Sequence, residues 1–157
     1  MMLCHYLTPH NIVVLPKPAS KDELLKDLAA KLANLAGVRN PSHMVQSILD
    51  REHEGSTFLP TGIAIPHARV PDVAEISVIM GVVPEGFKES EDVDPTYIFL
   101  LFFSPVKEKE FGKHLKLLAR ISAVFRDPNF VKEVASSNNP DKVFSLIQQK
   151  ERETVEE

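Results

Sequence analysis

The sequence predicts an α/β domain with a central β-strand that is covered by helices on both of its faces. The first observation is the nearly unbroken apolar run Tyr97–Phe103, because a strand without polar alternation has to be buried on both sides of its sheet. The second is a series of segments around this run in which apolar residues recur at helical spacing. The third is the length of 157 residues, which suits one domain with a sizeable core.

A short strand and an amphipathic helix open the chain. Asn11–Leu15 is predicted to be a strand, which the following Pro16 closes. Ser20 and Glu23 have the spacing of a capping box, so a helix begins after Ser20. Leucines at helical spacing form its apolar face, and Gly37 is a natural end for it.

A second helix and a second strand follow. Asn40 as the cap and Pro41 at the first helical position predict a helix that ends at Gly55. The apolar run Ile63–Ile65 predicts a short buried strand, which Pro66 ends because proline lacks a backbone donor. We therefore expect the side chain after Pro66 to lie at the exposed tip of a strand.

The second half of the chain alternates strands, a loop and helices. Ile76–Val83 is predicted to be a strand, and the polar segment Pro84–Pro95 is predicted to be a loop before the central strand. Lys107–Arg126 carries the longest helical pattern. The predicted apolar stripe of this helix consists of Phe111, His114, Leu115, Leu118, Ile121 and Phe125.

Two more helices and a polar tail complete the chain. Asp127-Pro128 and Asn139-Pro140 each place a proline at the first position of a helix. The tail Lys150–Glu157 is almost entirely charged or polar, and we expect it to fray. The sequence contains no internal repeat and no low-complexity linker, so residues 1–157 are predicted to form a single domain.

The bulk composition excludes several classes of function. A formal net charge of −4 argues against nucleic acid as the main partner. No apolar run approaches the ~20 residues that a membrane-spanning helix requires. The start Met1–Tyr6 lacks the basic and apolar regions of a signal peptide, so we expect a cytoplasmic protein. Cys4 is the only cysteine, so no internal disulfide can form.

The strongest candidate for chemistry is the histidine that follows Pro66. A neutral imidazole carries a lone pair, so His67 can act as a nucleophile, and Arg69 supplies a cation two residues later. Upstream, Gly55–Thr57 offers the backbone amides and hydroxyls that gather around an anion. The spacing alone leaves an alternative open, in which His67 caps a backbone carbonyl and Arg69 is a solvated surface charge.

An ordered set of residues resembles the signature of a known family. Arg51-Glu52, Gly55–Thr57 and Thr61–Arg69 are similar to the fructose/mannitol-type (type 2) IIA domains of the bacterial phosphoenolpyruvate-dependent sugar phosphotransferase system, which include the nitrogen-regulatory IIA proteins. The resemblance covers nearly the whole chain. In that family the histidine of the Pro-His step takes a phosphoryl group from the carrier HPr and passes it to a IIB cysteine. The resemblance therefore implies that His67 is the phosphorylated residue.

The resemblance also implies roles for other residues. The segment His114–Ala119 is similar to a second family motif whose histidine lies beside the phosphorylated one, so His114 is expected to orient or stabilise phospho-His67. From the residues alone, a buried and hydrogen-bonded histidine is the alternative for His114. The resemblance places Arg51 close to the phosphorylation site. The candidates for binding the phosphate or a partner protein are Arg51, Ser56, Thr57 and Arg69.

The resemblance further implies a fold and a set of partners. The expected fold is a single mixed parallel and antiparallel sheet with helices on both faces. The expected partners are HPr as phosphoryl donor and a separate IIB protein as acceptor, because Cys4 lies in no phosphate-cradling loop. The interpretation requires no metal, nucleotide or other cofactor. The loop Phe58–Thr61 departs from the Gly-rich run that is common in the family, so the amides that contact the phosphate are left undetermined.

Two other functions remain open. A regulatory protein of the nitrogen type would share the phosphorylation site but would bind target proteins according to its phosphorylation state, and the sequence does not decide between the two roles. A zinc site formed by His67, His114 and a carboxylate is conceivable, but no closely spaced pair of residues supplies its first two ligands. Neither the sugar nor the oligomeric state follows from the sequence.

Overall fold

The computed structural model describes residues 1–156, which form five β-strands, five α-helices and three short 3₁₀ turns. The strands are β1 (Ile12–Val14), β2 (Ile63–Ala64), β3 (His67–Val70), β4 (Ser77–Phe87) and β5 (Thr96–Pro105). The helices are α1 (Lys21–Leu35), α2 (Ser42–Glu54), α3 (Phe111–Val124), α4 (Pro128–Ser136) and α5 (Pro140–Glu156). None of the helices in this part of the chain is long and apolar enough to cross a membrane.

The strands form one mixed sheet in the order β1-β4-β5, with β2 and β3 together on the far side of β5. Strands β4 and β5 pair antiparallel, whereas β1 pairs parallel with β4. Both β2 and β3 pair parallel with β5. This arrangement confirms the prediction of a mixed sheet.

Helices cover both faces of the sheet, as predicted. Helices α1 and α2 pack against one face through residues such as Leu25, Leu28 and Ile48. Helices α3, α4 and α5 pack against the other face through Ile121, Val131 and Ile147. At the starts of α1, α2, α4 and α5, backbone N–H groups donate to the side-chain oxygens of Ser20, Asn40, Asp127 and Asn139, as predicted.

The apolar run of β5 explains why both faces must be covered. Alternate side chains of a strand point to opposite faces. Phe99, Leu101 and Phe103 belong to the core beneath α1 and α2. Ile98, Leu100 and Phe102 belong to the core beneath α3, α4 and α5. The prediction of a central strand that is buried on both sides is therefore confirmed.

Strand β4 is longer than predicted. The sequence places Pro84 in a polar loop, but β4 continues to Phe87, which pairs with Thr96 and is buried. The pairing register shifts between Val82 and Phe87, and Gly86 adopts a φ of 78° there, a conformation that glycine tolerates best. This irregularity allows a proline, which has no amide hydrogen, to be accommodated within the strand.

The buried stripe of α3 also differs from the prediction. Its buried residues are His114, Leu117, Ile121 and Val124. Phe111 and Leu115, which we expected on the apolar stripe, are 41% and 50% exposed. Two large apolar side chains on the start of α3 are therefore accessible from outside.

The chain does not fray at Lys150, because α5 continues to Glu156. Glu151 is completely buried, and its carboxylate accepts hydrogen bonds from the backbone N–H groups of Leu3 and Cys4 and from Arg120 Nε at 2.9 Å. Three donors compensate this buried carboxylate, so the last turns of α5 are tied to the start of the chain. Glu157, the last residue of the expected frayed tail, lies outside the described residues.

Candidate functional site

His67 is the first residue of β3 and lies within an interrupted strand rather than at a strand tip. Strands β2 and β3 keep one register with β5, since Ile63 lies opposite Ile98 and His67 lies opposite Phe102. Pro66 interrupts the pairing because it has no N–H, while its carbonyl accepts a hydrogen bond from Phe102 N at 3.0 Å. The prediction that His67 lies at the exposed tip of a strand is therefore wrong, because its side chain is half-buried.

A hydrogen bond and a stacking contact fix the ring of His67. Its Nδ1 atom lies 2.6 Å from the carbonyl oxygen of Ile65. The ring stacks on Phe102 with a centroid distance of 5.3 Å and an interplanar angle of 13°. Because a carbonyl oxygen only accepts hydrogen bonds, Nδ1 carries the proton and Nε2 carries the lone pair. The carbonyl cap that we considered as an alternative is thus present, and it leaves Nε2 as the nucleophilic atom.

Helix α3 places His114 beside His67. The side chain of His114 is only 5% exposed, and the two rings meet edge to face with a centroid distance of 5.2 Å and an angle of 65°. His114 Nδ1 lies 2.5 Å from the hydroxyl oxygen of Ser104, near the end of β5. The structure therefore brings together the two histidines that the sequence singles out. His114 is also the buried, hydrogen-bonded histidine of the alternative interpretation.

The surroundings of both rings favour the neutral imidazole. Burial lowers the pKa of His67, the hydrogen bond to Ile65 raises it, and the positive charge of Arg51 lowers it. Burial and the charges of His67 and Arg69 lower the pKa of His114 to about 4. At neutral pH the lone pair on His67 Nε2 is therefore available.

Arg51 lies in the last turn of α2, next to the loop that follows this helix. Its Nη1 atom donates a hydrogen bond to the carbonyl oxygen of Gly55 at 3.0 Å. Its positive charge is one of the causes that lower the pKa of His67. A guanidinium group has five N–H donors, so Arg51 retains donors for an anion.

Arg69 shares a face of β3 with His67, because residues two apart on a strand point the same way. Its Nη2 atom donates hydrogen bonds to the carbonyl oxygens of Val106 at 3.1 Å and Lys107 at 3.3 Å. The guanidinium also lies 4.7 Å from the centre of the Phe111 ring. These contacts fix a positive charge between the start of α3 and the strand that carries His67.

The two predicted hydroxyl residues differ in what they can donate. Thr57 donates its backbone N–H and its hydroxyl to Glu52, at 2.8 and 2.7 Å, and a hydroxyl has only one proton. Glu52 is buried and also pairs with Lys21 Nζ at 3.1 Å. Ser56 is exposed, and its hydroxyl oxygen accepts a hydrogen bond from Phe58 N. The Ser56 hydroxyl therefore keeps a proton to donate, whereas the Thr57 hydroxyl proton is already donated to Glu52.

The loop Phe58–Thr61, which departs from the family pattern, folds back on β2. Leu59 N donates a hydrogen bond to the carbonyl oxygen of Ile63 at 2.8 Å. Phe58 lies opposite Ala64 in an isolated antiparallel bridge. The loop therefore supports the start of the interrupted strand that carries His67.

Sequence reasoning assigned no role to two polar residues near the site, Glu52 and Ser104. Glu52 belongs to the segment that carries the resemblance, but a single acid in a helix gives no sign that it will be buried. Ser104 directly follows the apolar run of β5, and a polar residue at the end of a buried strand is a usable signal. Among residues 1–156, no three His, Cys, Asp or Glu side chains come together in a group that could hold a metal ion.

The shifted pKa of His114 predicts a dependence of stability on pH. The unfolded chain protonates His114 near its ordinary pKa of about 6.5, whereas the folded protein does so only near pH 4. Between these values the unfolded state binds more protons, so the free energy of unfolding falls as the pH falls. We expect His114 to lower the free energy of unfolding by about 2–3 kcal/mol between pH 6.5 and pH 4. Urea unfolding across this pH range measures the change.

The variant His114→Gln isolates this contribution, because other groups titrate in the same range. The difference in unfolding free energy between wild type and variant should shrink as the pH falls toward 4. Two curves that run parallel over the whole range would contradict the lowered pKa of His114.

Comparison with known proteins identifies the family of the chain. The family model described as "Phosphoenolpyruvate-dependent sugar phosphotransferase system, EIIA 2" matches residues 5–150. A nitrogen regulatory protein of Bradyrhizobium diazoefficiens is 32% identical over 149 residues, which cover 94% of this chain and 95% of that protein.

Solved structures show the same architecture. The nitrogen regulatory protein IIA-Ntr from Neisseria meningitidis matches with a TM-score of 0.79 and 21% identity, over 92% of this chain and 98% of that chain, a likeness of fold. A complex of enzyme IIA mannitol with phosphorylated enzyme IIB mannitol from Escherichia coli matches with a TM-score of 0.73 and 25% identity, over 91% of this chain and 97% of that chain. The chain therefore belongs to the EIIA 2 family of the phosphoenolpyruvate-dependent sugar phosphotransferase system.

Proposed function

We propose that this protein is a phosphocarrier that accepts a phosphoryl group from phospho-HPr on His67 and passes it to a cysteine of a separate IIB protein. The observation that carries the proposal is the hydrogen bond from His67 Nδ1 to the Ile65 carbonyl. It leaves the Nε2 lone pair unprotonated on a half-buried ring, in a chain that belongs to the EIIA 2 family.

The chemical step requires no proton transfer from His67. The Nε2 lone pair attacks phosphorus, a P–N bond forms, and the bond between phosphorus and its donor atom breaks with the electron pair staying on the donor. The proton on Nδ1 remains hydrogen-bonded to Ile65 throughout. In the second step the cysteine thiolate of IIB attacks phosphorus, and the electron pair of the P–N bond returns to Nε2. We infer Nε2 as the phosphorylated nitrogen.

Positive charge and hydrogen-bond donors around His67 support this chemistry. Phosphoryl transfer through a loose transition state depends on positioning and on stabilising the equatorial oxygens. The positive charge of Arg51 acts on His67, and that of Arg69 acts on His114. Ser56 has a free hydroxyl proton, so it is a further candidate donor. Thr57 supports the site indirectly in this proposal, through its bonds to Glu52.

An exposed apolar rim supplies a surface for partner proteins. We define this apolar rim as Val106, Phe111 and Leu115, which are 51%, 41% and 50% exposed. It adjoins the site, because Arg69 bonds to the Val106 carbonyl and the Phe111 ring lies 5.9 Å from that of His114. HPr and IIB would dock here in turn through modest transient interfaces. The Escherichia coli relative solved with phosphorylated IIB supports a IIB partner.

A regulatory role is the second candidate, and one finding favours it. The nitrogen regulatory protein of Bradyrhizobium diazoefficiens matches almost from end to end at 32% identity. In this version His67 is phosphorylated in the same way, but the phosphorylation state controls the binding of a target protein on the same surface.

A transfer experiment tests the proposal and separates the two roles. The protein is phosphorylated with phosphoenolpyruvate, enzyme I and HPr, and is then mixed with purified fructose- and mannitol-type IIB domains. A carrier should lose its phosphoryl group rapidly to one of them. If no IIB domain accepts the group, and pull-downs recover a target whose yield changes with phosphorylation, the carrier role is wrong and the regulatory role holds. Failure of His67 phosphorylation would overturn both.

A further inference from the structure

Ser104 and His114 form an isolated buried pair next to the candidate nucleophile. Ser104 is 0% exposed, and its hydroxyl oxygen lies 2.5 Å from His114 Nδ1. Within residues 1–156 this is the one hydrogen bond formed by either side chain. Ser104 lies opposite Arg69 in the pairing of β3 with β5, so the pair is directly beside the strand that carries His67.

The hydrogen bond can have either of two directions. A neutral imidazole has one N–H donor and one acceptor nitrogen. If Ser104 donates to Nδ1, the ring proton is on Nε2, and His114 can donate a hydrogen bond with that nitrogen. If Nδ1 donates to Ser104, Nε2 carries a lone pair, which would repel the lone pairs of a phosphoryl oxygen.

We propose that Ser104 is a positioning residue whose hydroxyl donates to His114 Nδ1 and so fixes the His114 proton on Nε2, where it faces a phosphoryl group on His67. The inference rests on the proposed phosphorylation of His67. Only the first direction of the hydrogen bond turns His114 into a donor for that group.

The surroundings of His114 explain why the tautomer matters. A protonated imidazole has two N–H groups and would be a donor without help from Ser104. The ring is packed against Phe102, Phe111 and His67, and burial and the charges of His67 and Arg69 lower its pKa. An apolar wall and a neighbouring cation both disfavour the protonated ring. The neutral ring needs the correct tautomer, and Ser104 is the residue in contact with its other nitrogen.

The first test reads the tautomer directly. The ¹⁵N chemical shifts and two-bond couplings of the His114 ring are measured by NMR in wild type, Ser104→Ala and Ser104→Thr. We expect Nε2–H in wild type and in the threonine variant, which keeps the hydroxyl, and a loss or mixing of this tautomer in the alanine variant. Ser77→Ala is the matched control, because Ser77 lies on the adjacent strand and its hydroxyl donates to the backbone oxygen of Glu75. A wild-type protein with Nδ1–H would overturn the proposal even if Ser104→Ala fails to fold.

The second test measures single-turnover phosphoryl transfer from His67 to a IIB domain. Ser104→Ala should slow transfer by about tenfold, and Ser104→Thr should restore it. Because Ser104 acts through His114, the double variant Ser104→Ala/His114→Ala should be no slower than His114→Ala alone. Additive losses would show that Ser104 acts independently of His114 and would overturn the proposal. If wild-type His67 takes up no phosphoryl group, the proposed function fails, while the NMR result still decides whether Ser104 sets the tautomer.

Discussion

The variant His67→Ala is expected to take up no phosphoryl group from phosphoenolpyruvate, enzyme I and HPr, while the wild-type protein becomes phosphorylated. The substitution removes the atom that we propose forms the new P–N bond, and we expect that the neighbouring His114 cannot replace it. Its ring is buried, with Nδ1 bonded to Ser104. Uptake is measured by intact mass and by the acid lability that is characteristic of a phosphohistidine.

Two further variants make this result specific. His67→Gln keeps an amide that can still donate to the Ile65 carbonyl, so it should remain folded and also take up no phosphoryl group. His43→Ala changes an exposed histidine that pairs with Asp72, and it should be phosphorylated like wild type. An acid-labile phosphoryl group on His67→Ala would contradict the assignment of His67 as the phosphorylated residue.

The sequence predicts the central strand, the helix starts and the candidate histidines because these signals are local. The composition of Tyr97–Phe103 alone requires burial on both faces. The helical spacing of His114 places it on the inward side of α3, where the structure has it. The step from Pro66 to His67 is part of the ordered set of residues that resembles the family. None of these inferences depends on a contact between distant parts of the chain.

The incorrect predictions about the tail, the position of His67 and the exposure of Phe111 depend on contacts between distant parts of the chain. The polar segment after Lys150 stays helical because Glu151 binds the backbone of Leu3, at the other end of the chain. The position of His67 depends on the pairing of both β2 and β3 with one side of β5, which no local pattern reveals. Phe111 fits the apolar spacing of α3 but lies beyond the edge of the core, under the guanidinium of Arg69.

The alternative interpretations of the two histidines are part of the proposed mechanism. A cap on a backbone carbonyl is what fixes the His67 tautomer, because the Ile65 oxygen can only accept. A buried hydrogen bond to a serine is what holds the ring of His114. The same contacts that a purely structural histidine would make also select which nitrogen can react or donate. The sequence shows the residue types, whereas the direction of these bonds requires the fold.

His114→Ala should still accept a phosphoryl group at His67 but should pass it to a IIB domain about tenfold to a hundredfold more slowly than wild type. In the proposed mechanism the His114 ring, which lies 5.2 Å from that of His67, donates a hydrogen bond to the transferring group. A charge-assisted bond of this kind is worth about 1.5–3 kcal/mol, which corresponds to the predicted loss of rate. Binding of HPr should change less, because we propose that HPr docks on the apolar rim rather than on His114.

Single-turnover transfer from phospho-His67 is the measurement, with thermal melting to establish that the variant is folded. Leu117→Ala is the matched control, because Leu117 is completely buried on the same helix. Loss of its side chain should cost about 2–5 kcal/mol of stability while leaving the rings of His67 and His114 in place. If destabilisation alone slowed transfer, both variants would be slow. A folded His114→Ala protein with wild-type transfer rates would instead mean that His114 is only a core histidine, and that the positive charge of Arg51 and Arg69 suffices for the reaction.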